Sequence, residues 1–202
     1  SSTDGSAYLE PPPSSAKQGI EQGFAIKVKC NGKEYIRQLH EADWKEVSFT
    51  GQYPLATIQF TDSSLPFSVT MEAYSPFIPL NADDSGLPAT VFSITVHNNS
   101  KSALEASLTG WLENACLFFQ KDKTSFKRQN SRIKKDHLLG VFCESKQDIT
   151  DSKIAQLPDY GTICLSLLSD NGVAYTDFNT LDLSAFNFKQ KDAQTGKDKQ
   201  EL

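Results

Sequence analysis

Apolar side chains recur at every second position through most of this chain, and that period decides the fold class. Phe24, Ile26, Val28 and Cys30 fall on one face of their segment, and Phe67, Val69 and Met71 alternate with Ser68, Thr70 and Glu72 in theirs. Successive side chains of an extended backbone point to opposite faces, so this pattern builds half-buried strands. Asn31-Gly32 follows the first run, and both residues tolerate the positive φ angles of a two-residue hairpin turn. Gly51 and Pro54 punctuate two more strand-like runs in "VSFTGQYPLATIQFTD". Further strands are read in "ATVFSITVHN", "LEASLTGWLEN", "LLGVFCES" and "GTICLSLL", the last followed by the turn signal Asp170-Asn171-Gly172. Roughly ten strands without a long amphipathic helix predict an all-β protein, an antiparallel β-sandwich.

A chain of 202 residues suits one such domain. The sandwich is expected over residues 20–188, behind a flexible Ser/Pro-rich leader at 1–19 and ahead of a polar tail at 189–202. The leader has no basic segment followed by an apolar one, although its composition suits a processed, exported chain. No stretch approaches the roughly 18 consecutive apolar residues of a membrane span. A net charge of −5 supplies no general field for nucleic acid. Residues 121–136 do carry seven Lys or Arg against two Asp, but Phe126 is the one aromatic there, so a solvated loop is expected in place of a nucleic-acid groove. Cys30, Cys116, Cys143 and Cys164 match no metal-ligand spacing. Cys30, Cys143 and Cys164 read as small buried hydrophobes within strands, with one or two disulfides open to an exported chain.

The stretch "EAYSPFIPLNADDSGLPATVF", residues 72–92, poses the sharpest chemical question. Glycoside hydrolysis needs two carboxyls flanking the scissile bond, and Asp83 and Asp84 are the local pair. Neighbours in an extended chain point apart, and a polar loop offers nothing to raise one pKa, so catalysis by this pair is not expected. Asn81, Asp83, Ser85 and Gly86 fit the first half of a calcium loop, which makes Asn81, Asp83 and Ser85 weak calcium candidates. The twelfth position, where a bidentate Glu belongs, is Phe92. An ion-free turn whose side chains satisfy backbone amides is the expected state.

His40, His97 and His137 are scattered, and no GxSxG, GxGxxG or phosphate loop is present, so no cofactor is expected. In "GWLENACLF", Trp111, Glu113 and Asn114 place an aromatic face, a carboxylate and an amide close together. Such a trio suits a sugar; equally, it is a strand end where Trp111 packs and Glu113 or Asn114 ties down a bend.

"GQYPLATIQFTD", "VTMEAYSPFIPLNADDSGLPATVFSITVHN", "LTGWLENACLF" and "LPDYGTICLSLL" together resemble the N-terminal domain of glycoside hydrolase family 116, the family of non-lysosomal glucosylceramidase and bacterial β-glucosidases. The resemblance runs from about residue 23 to about residue 168. It implies a two-part enzyme in which an N-terminal β-sandwich packs on a C-terminal (α/α)6 barrel that carries both catalytic carboxylates and hydrolyses β-glucosides with retention. This chain covers the first part, so no catalytic residue is carried over. The family's aromatic-rich "WHFPN"-like segment is absent, which implies a sandwich cut short at its C-terminal end with an exposed edge. The implied partner is the catalytic domain of the same polypeptide, with a β-glucoside or glycolipid carbohydrate as a further candidate; neither nucleic acid nor a membrane span is implied. On the matching segments, the candidate interdomain or sugar-facing residues are Ser75, Pro76, Phe77, Asn81, Asp84, Ser85, Trp111, Glu113, Asn114, Asp159 and Tyr160. An autonomous carbohydrate-binding module, stacking sugars on Trp111 or Tyr160, is the alternative, with a purely structural surface domain behind it.

Overall fold

A computed structural model describes residues 20–118, 126–146, 154–157, 159–176, 178–182 and 187–190. The leader at 1–19 and the tail from residue 191 lie outside the described residues. The chain divides into two compact units, one formed by Phe24–Thr109 and one by the residues flanking it on both sides. All of the long elements are strands, which is the all-β class that the two-residue period demands.

In the unit Phe24–Thr109, β1 (Gln22–Cys30) and β2 (Lys33–Gln38) form the expected hairpin. Its turn residues Asn31 and Gly32 have φ values of 51° and 73°. This left-handed geometry matches the strand twist and is cheap only for such residues. β7 (Leu104–Leu112) lies on the other side of β1, giving the order β2-β1-β7. The second sheet has the order β3-β4-β5-β6, built from β3 (Glu46–Gln52), β4 (Leu55–Thr61), β5 (Phe67–Tyr74) and β6 (Val91–Asn98) in antiparallel register. Inward residues of the two sheets share one core: Ile26 and Val28 from β1 meet Phe60, Phe67, Val69 and Met71 from β4 and β5. That shared core makes this unit a sandwich.

Trp44 closes the core. Its ring lies 5.6 Å from Phe60 and 5.8 Å from Phe67, the latter edge-on at 87°. Its indole N–H donates to the Gln38 carbonyl at 2.7 Å, so the ring is buried without stranding a donor. At the end of β4, the Ser64 hydroxyl and amide donate to Asp62 at 2.6 and 2.8 Å, and the Lys45 ammonium lies 3.0 Å away. The Ser64 bonds, aided by Lys45 and opposed by partial burial, hold the Asp62 carboxyl down at about 2.

The other unit contains the antiparallel sheet β10-β9-β8: β8 (Lys127–Lys135), β9 (Leu138–Lys146) and β10 (Thr162–Leu168). A two-stranded pair, β11 (Phe178–Asp182) and β12 (Asn187–Gln190), follows. β8 corrects the solvated-loop expectation for residues 127–135. Ser131 and Ile133 are buried on one face of it, while Arg128 turns back to donate to the Cys116 carbonyl at 2.9 Å and lies over the Phe118 and Phe126 rings. Seven cations in sixteen residues concealed a period-two pattern with only two buried members. At the edge of the sheet, charges on such a strand also deter unwanted strand pairing.

All four cysteines are free thiols. Cys30 and Cys143 are buried, as their strand positions predict, and so is Cys116. Cys164 is the correction: it lies on the open face of β10 and is exposed. Burial pushes the Cys143 thiol up to about 12 and raises Cys116 as well. A thiol must ionise and be reached before it attacks a disulfide reagent. At pH 8 in native buffer, a chromogenic disulfide is therefore expected to titrate one thiol quickly and the other three only after unfolding, with Cys164→Ser abolishing the fast phase. Two or more fast thiols would contradict this packing.

Candidate functional site

The sequence-derived candidates fall into two groups, one in each unit. The first occupies the connection between β5 and β6. Its backbone forms a short helical turn, Ala82–Ser85, that begins with the Asn81 side chain accepting from the Asp84 amide at 3.1 Å. The Asn81 amide group also donates to the Asp84 carboxylate at 2.6 Å. Ser85 ties the loop across: its hydroxyl donates to the Ile78 carbonyl at 3.0 Å and accepts from the Ile78 amide at 2.9 Å. Ile78 and Asn81 are further joined by an isolated bridge. With Pro76, Pro79 and Pro88 fixing φ at three points, the loop is stiff by composition and by bonding.

Two of the three calcium candidates, Asn81 and Ser85, thus spend their side chains on the loop itself. Asp83 and Asp84 are exposed and sit in a helical turn, not in the extended chain the sequence reading assumed. Adjacent side chains of a helical turn splay by about 100°. The pair accordingly does not face a common point.

Apolar side chains stand on the outside of this connection. Phe77 and Ile78 are each 47% exposed, Leu87 54%, and Leu80 fully, at 109%. Tyr53, from the turn between β3 and β4, is 80% exposed and meets the Phe77 ring edge-on at 5.3 Å. Leu55 and Tyr74 sit opposite one another at the same end of the sheet. Tyr53 and Phe77 adjoin, and exposed apolar groups that adjoin mark interaction surfaces, whereas scattered ones do not. Tyr53 and Leu80 were missed as site residues. The available signal was positional: large apolar residues stand in the tight turns at Tyr53-Pro54 and Pro79-Leu80, where polar ones are usual.

The second group lies beyond β7. Trp111 packs so closely over Gly23 that a Cβ placed there would come within 2.6 Å of its ring. Glu113 pairs with the incoming chain: its amide donates to the Glu21 carbonyl at 2.7 Å and its carboxylate accepts from the Glu21 amide at 3.1 Å. Asn114 is buried. Its amide group points to the Gln129 and Glu144 carbonyls and to the Asn130 side chain, at 2.8 to 3.3 Å, and its oxygen accepts from the Cys116 amide at 3.1 Å. All three thus make contacts within this unit: Trp111 by its ring, Glu113 and Asn114 by hydrogen bonds. The Asp159 carbonyl accepts from the Leu117 amide at 2.8 Å, and Tyr160 is exposed.

These features define an all-β protein whose most distinctive surface is a rigid apolar projection, with its conspicuous carboxylates splayed and solvated. Over residues 10–200 the sequence matches the family described as beta-glucosidase 2, glycosyl-hydrolase family 116 N-term. The chain belongs to glycosyl-hydrolase family 116 and comprises its N-terminal domain. No curated protein matches it. Among the described residues there is no group of three or more His, Cys, Asp or Glu side chains placed to hold a metal ion, and no helix is long and apolar enough to cross a membrane.

Proposed function

We propose that this domain is a non-catalytic buttress for a C-terminal (α/α)6 catalytic domain, where the carboxylates of a retaining β-glucosidase or glucosylceramidase-like enzyme reside. An N-terminal domain of a multidomain glycosidase has a catalytic portion as its natural partner. The observation that carries the reading is the exposed apolar group Phe77, Ile78, Leu80 and Leu87 on a connection held from within, with Tyr53 reaching the Phe77 ring from the turn between β3 and β4. Covering the fully exposed Leu80 removes apolar surface worth about 1.5 to 3 kcal/mol from water, and the half-buried side chains less, before the cost of association is met. Ser75, Pro76, Phe77, Asn81, Asp84 and Ser85 belong to this interdomain surface in the proposal. Trp111, Glu113, Asn114 and Asp159 act as ties within their own unit in this reading.

The rival reading, a carbohydrate-binding module, requires exposed aromatic faces; Trp111 is committed to Gly23, which leaves the exposed Tyr160 as its stacking residue. Calorimetric titration of this chain with β-glucosides and cello-oligosaccharides separates the two. A buttress gives no binding heat up to millimolar ligand. Saturable binding at millimolar concentration or tighter would favour a module and overturn the proposal.

A further inference from the structure

We propose that Leu80 is the anchor of the docking surface, seating in an apolar pocket with a Lys- or Arg-bearing rim on the catalytic portion of the family polypeptide. This rests on the buttress reading and gives it a specific contact.

Three observations carry it. First, Leu80 has a φ of 64°, in the left-handed region that side chains other than glycine and asparagine rarely occupy. A leucine held there costs about 1–2 kcal/mol. Its side chain is fully exposed at 109%, so burial within this chain returns nothing for that strain. Conformations of this kind persist where the surroundings over-determine them, and they cluster at binding elements. Second, the surroundings do over-determine it. Pro79 precedes it, Asn81 begins the helical turn after it, and the Ser85 hydroxyl grips both backbone groups of Ile78. A projection fixed in advance loses little conformational freedom on docking. Phe77, three residues before it, meets Tyr53 edge to face and offers further exposed apolar surface on the same connection. Third, Asp83 and Asp84 follow directly in the exposed turn, and among the described residues neither carboxylate has an ion-pair partner. An apolar tip beside two solvated carboxylates is complementary to an apolar pocket with cations at its rim, because like charge or an unpaired buried carboxylate would oppose docking.

The test compares Leu80→Gly and Leu80→Asp in two settings. In this chain alone, Leu80→Gly relieves the backbone strain and removes no buried contact. Its urea midpoint is expected to stay unchanged or to rise. In the polypeptide that carries both portions, the same variant is expected to speed proteolytic cleavage at the junction by about tenfold or more, and Leu80→Asp by more still. Asp83→Lys, which leaves the Asn81–Asp84 bond in place, should loosen the junction at low salt, the effect fading as salt rises.

The failures are distinguishable. If the unaltered two-portion polypeptide already unfolds in two independent transitions, the buttress reading fails. If it unfolds in one transition and both Leu80 variants leave that transition and the cleavage rate unchanged, the anchor is overturned while the buttress stands. If this chain alone self-associates through the projection and Leu80→Asp abolishes only that, the pocket belongs to a second copy and the proposal is overturned. A fall in stability of the isolated chain on Leu80→Gly would show Leu80 to be a packing residue, which also overturns it.

Discussion

Phe67→Ala is expected to lower the unfolding free energy by about 3–5 kcal/mol, a large share of the stability of a domain this size. The Phe67 side chain is fully enclosed, with Trp44 edge-on at 5.8 Å and Tyr35 at 6.1 Å. Truncation removes apolar area from the centre of the shared core and leaves a cavity. The stiff strands of two facing sheets cannot close around it, so the loss exceeds the transfer term alone. Trp44 would also lose a ring contact while its indole remained tied to Gln38. Phe67→Leu, which retains most of the volume, should cost clearly less. Urea denaturation followed by tryptophan fluorescence measures both; a cost below about 1 kcal/mol for the alanine variant would contradict the core described here.

Asn114→Ala carries the second large effect. The side chain contains no extensive apolar surface, so its contribution comes from hydrogen bonds that nothing else can replace. Its loss leaves the Gln129 and Glu144 carbonyls without its donor and the Cys116 amide without its acceptor. A buried polar group that loses its partner, as the Cys116 amide does here, costs about 1–3 kcal/mol. The total is expected near 3 kcal/mol or above, allowing for partial relief by relaxation. Asn114→Asp is the discriminating control. It keeps the acceptor for Cys116 but turns a carboxylate toward two carbonyls and the Asn130 side-chain oxygen, so it should be at least as damaging as alanine. An aspartate variant as stable as the natural protein would show that Asn114 faces water or a ligand. A sugar-binding role would then regain support.

The strands of the sandwich unit were readable because their physics is local. Phe67, Val69 and Met71 face one core and solvent-facing residues separate them, so the period of two survives in the sequence. Asn31-Gly32 carried its turn geometry in two residue types. β8 was not readable for the same reason inverted: Arg128 bends back to carbonyls and aromatic rings, so a charged residue does inward work that a hydropathy pattern scores as outward. Cys164 shows the corresponding limit for apolar strands, since "GTICLSLL" carries no mark of which face stays open.

At the candidate site, the loop at 72–92 stood out through its prolines and acids, and the structural ties of Asn81 and Ser85 fit their known turn chemistry. What could not be read was the backbone state of Leu80 or the approach of Tyr53 from another turn. Both arise from how the chain is held across the sheet end, not from residue type. Asn114 illustrates the same point. An amide next to a tryptophan and a glutamate suits a ligand on paper, and only the paired strands β8 and β9 show that its partners are main-chain carbonyls.

In the proposed role this domain supports glycoside hydrolysis without performing it. The most direct measurement is turnover of aryl β-glucosides by this chain alone, across acidic to neutral pH. A buttress releases no aryl group above the buffer rate. Turnover in the usual enzymatic range, about 1 to 1000 per second, would contradict it and would place a working carboxylate pair within these 202 residues.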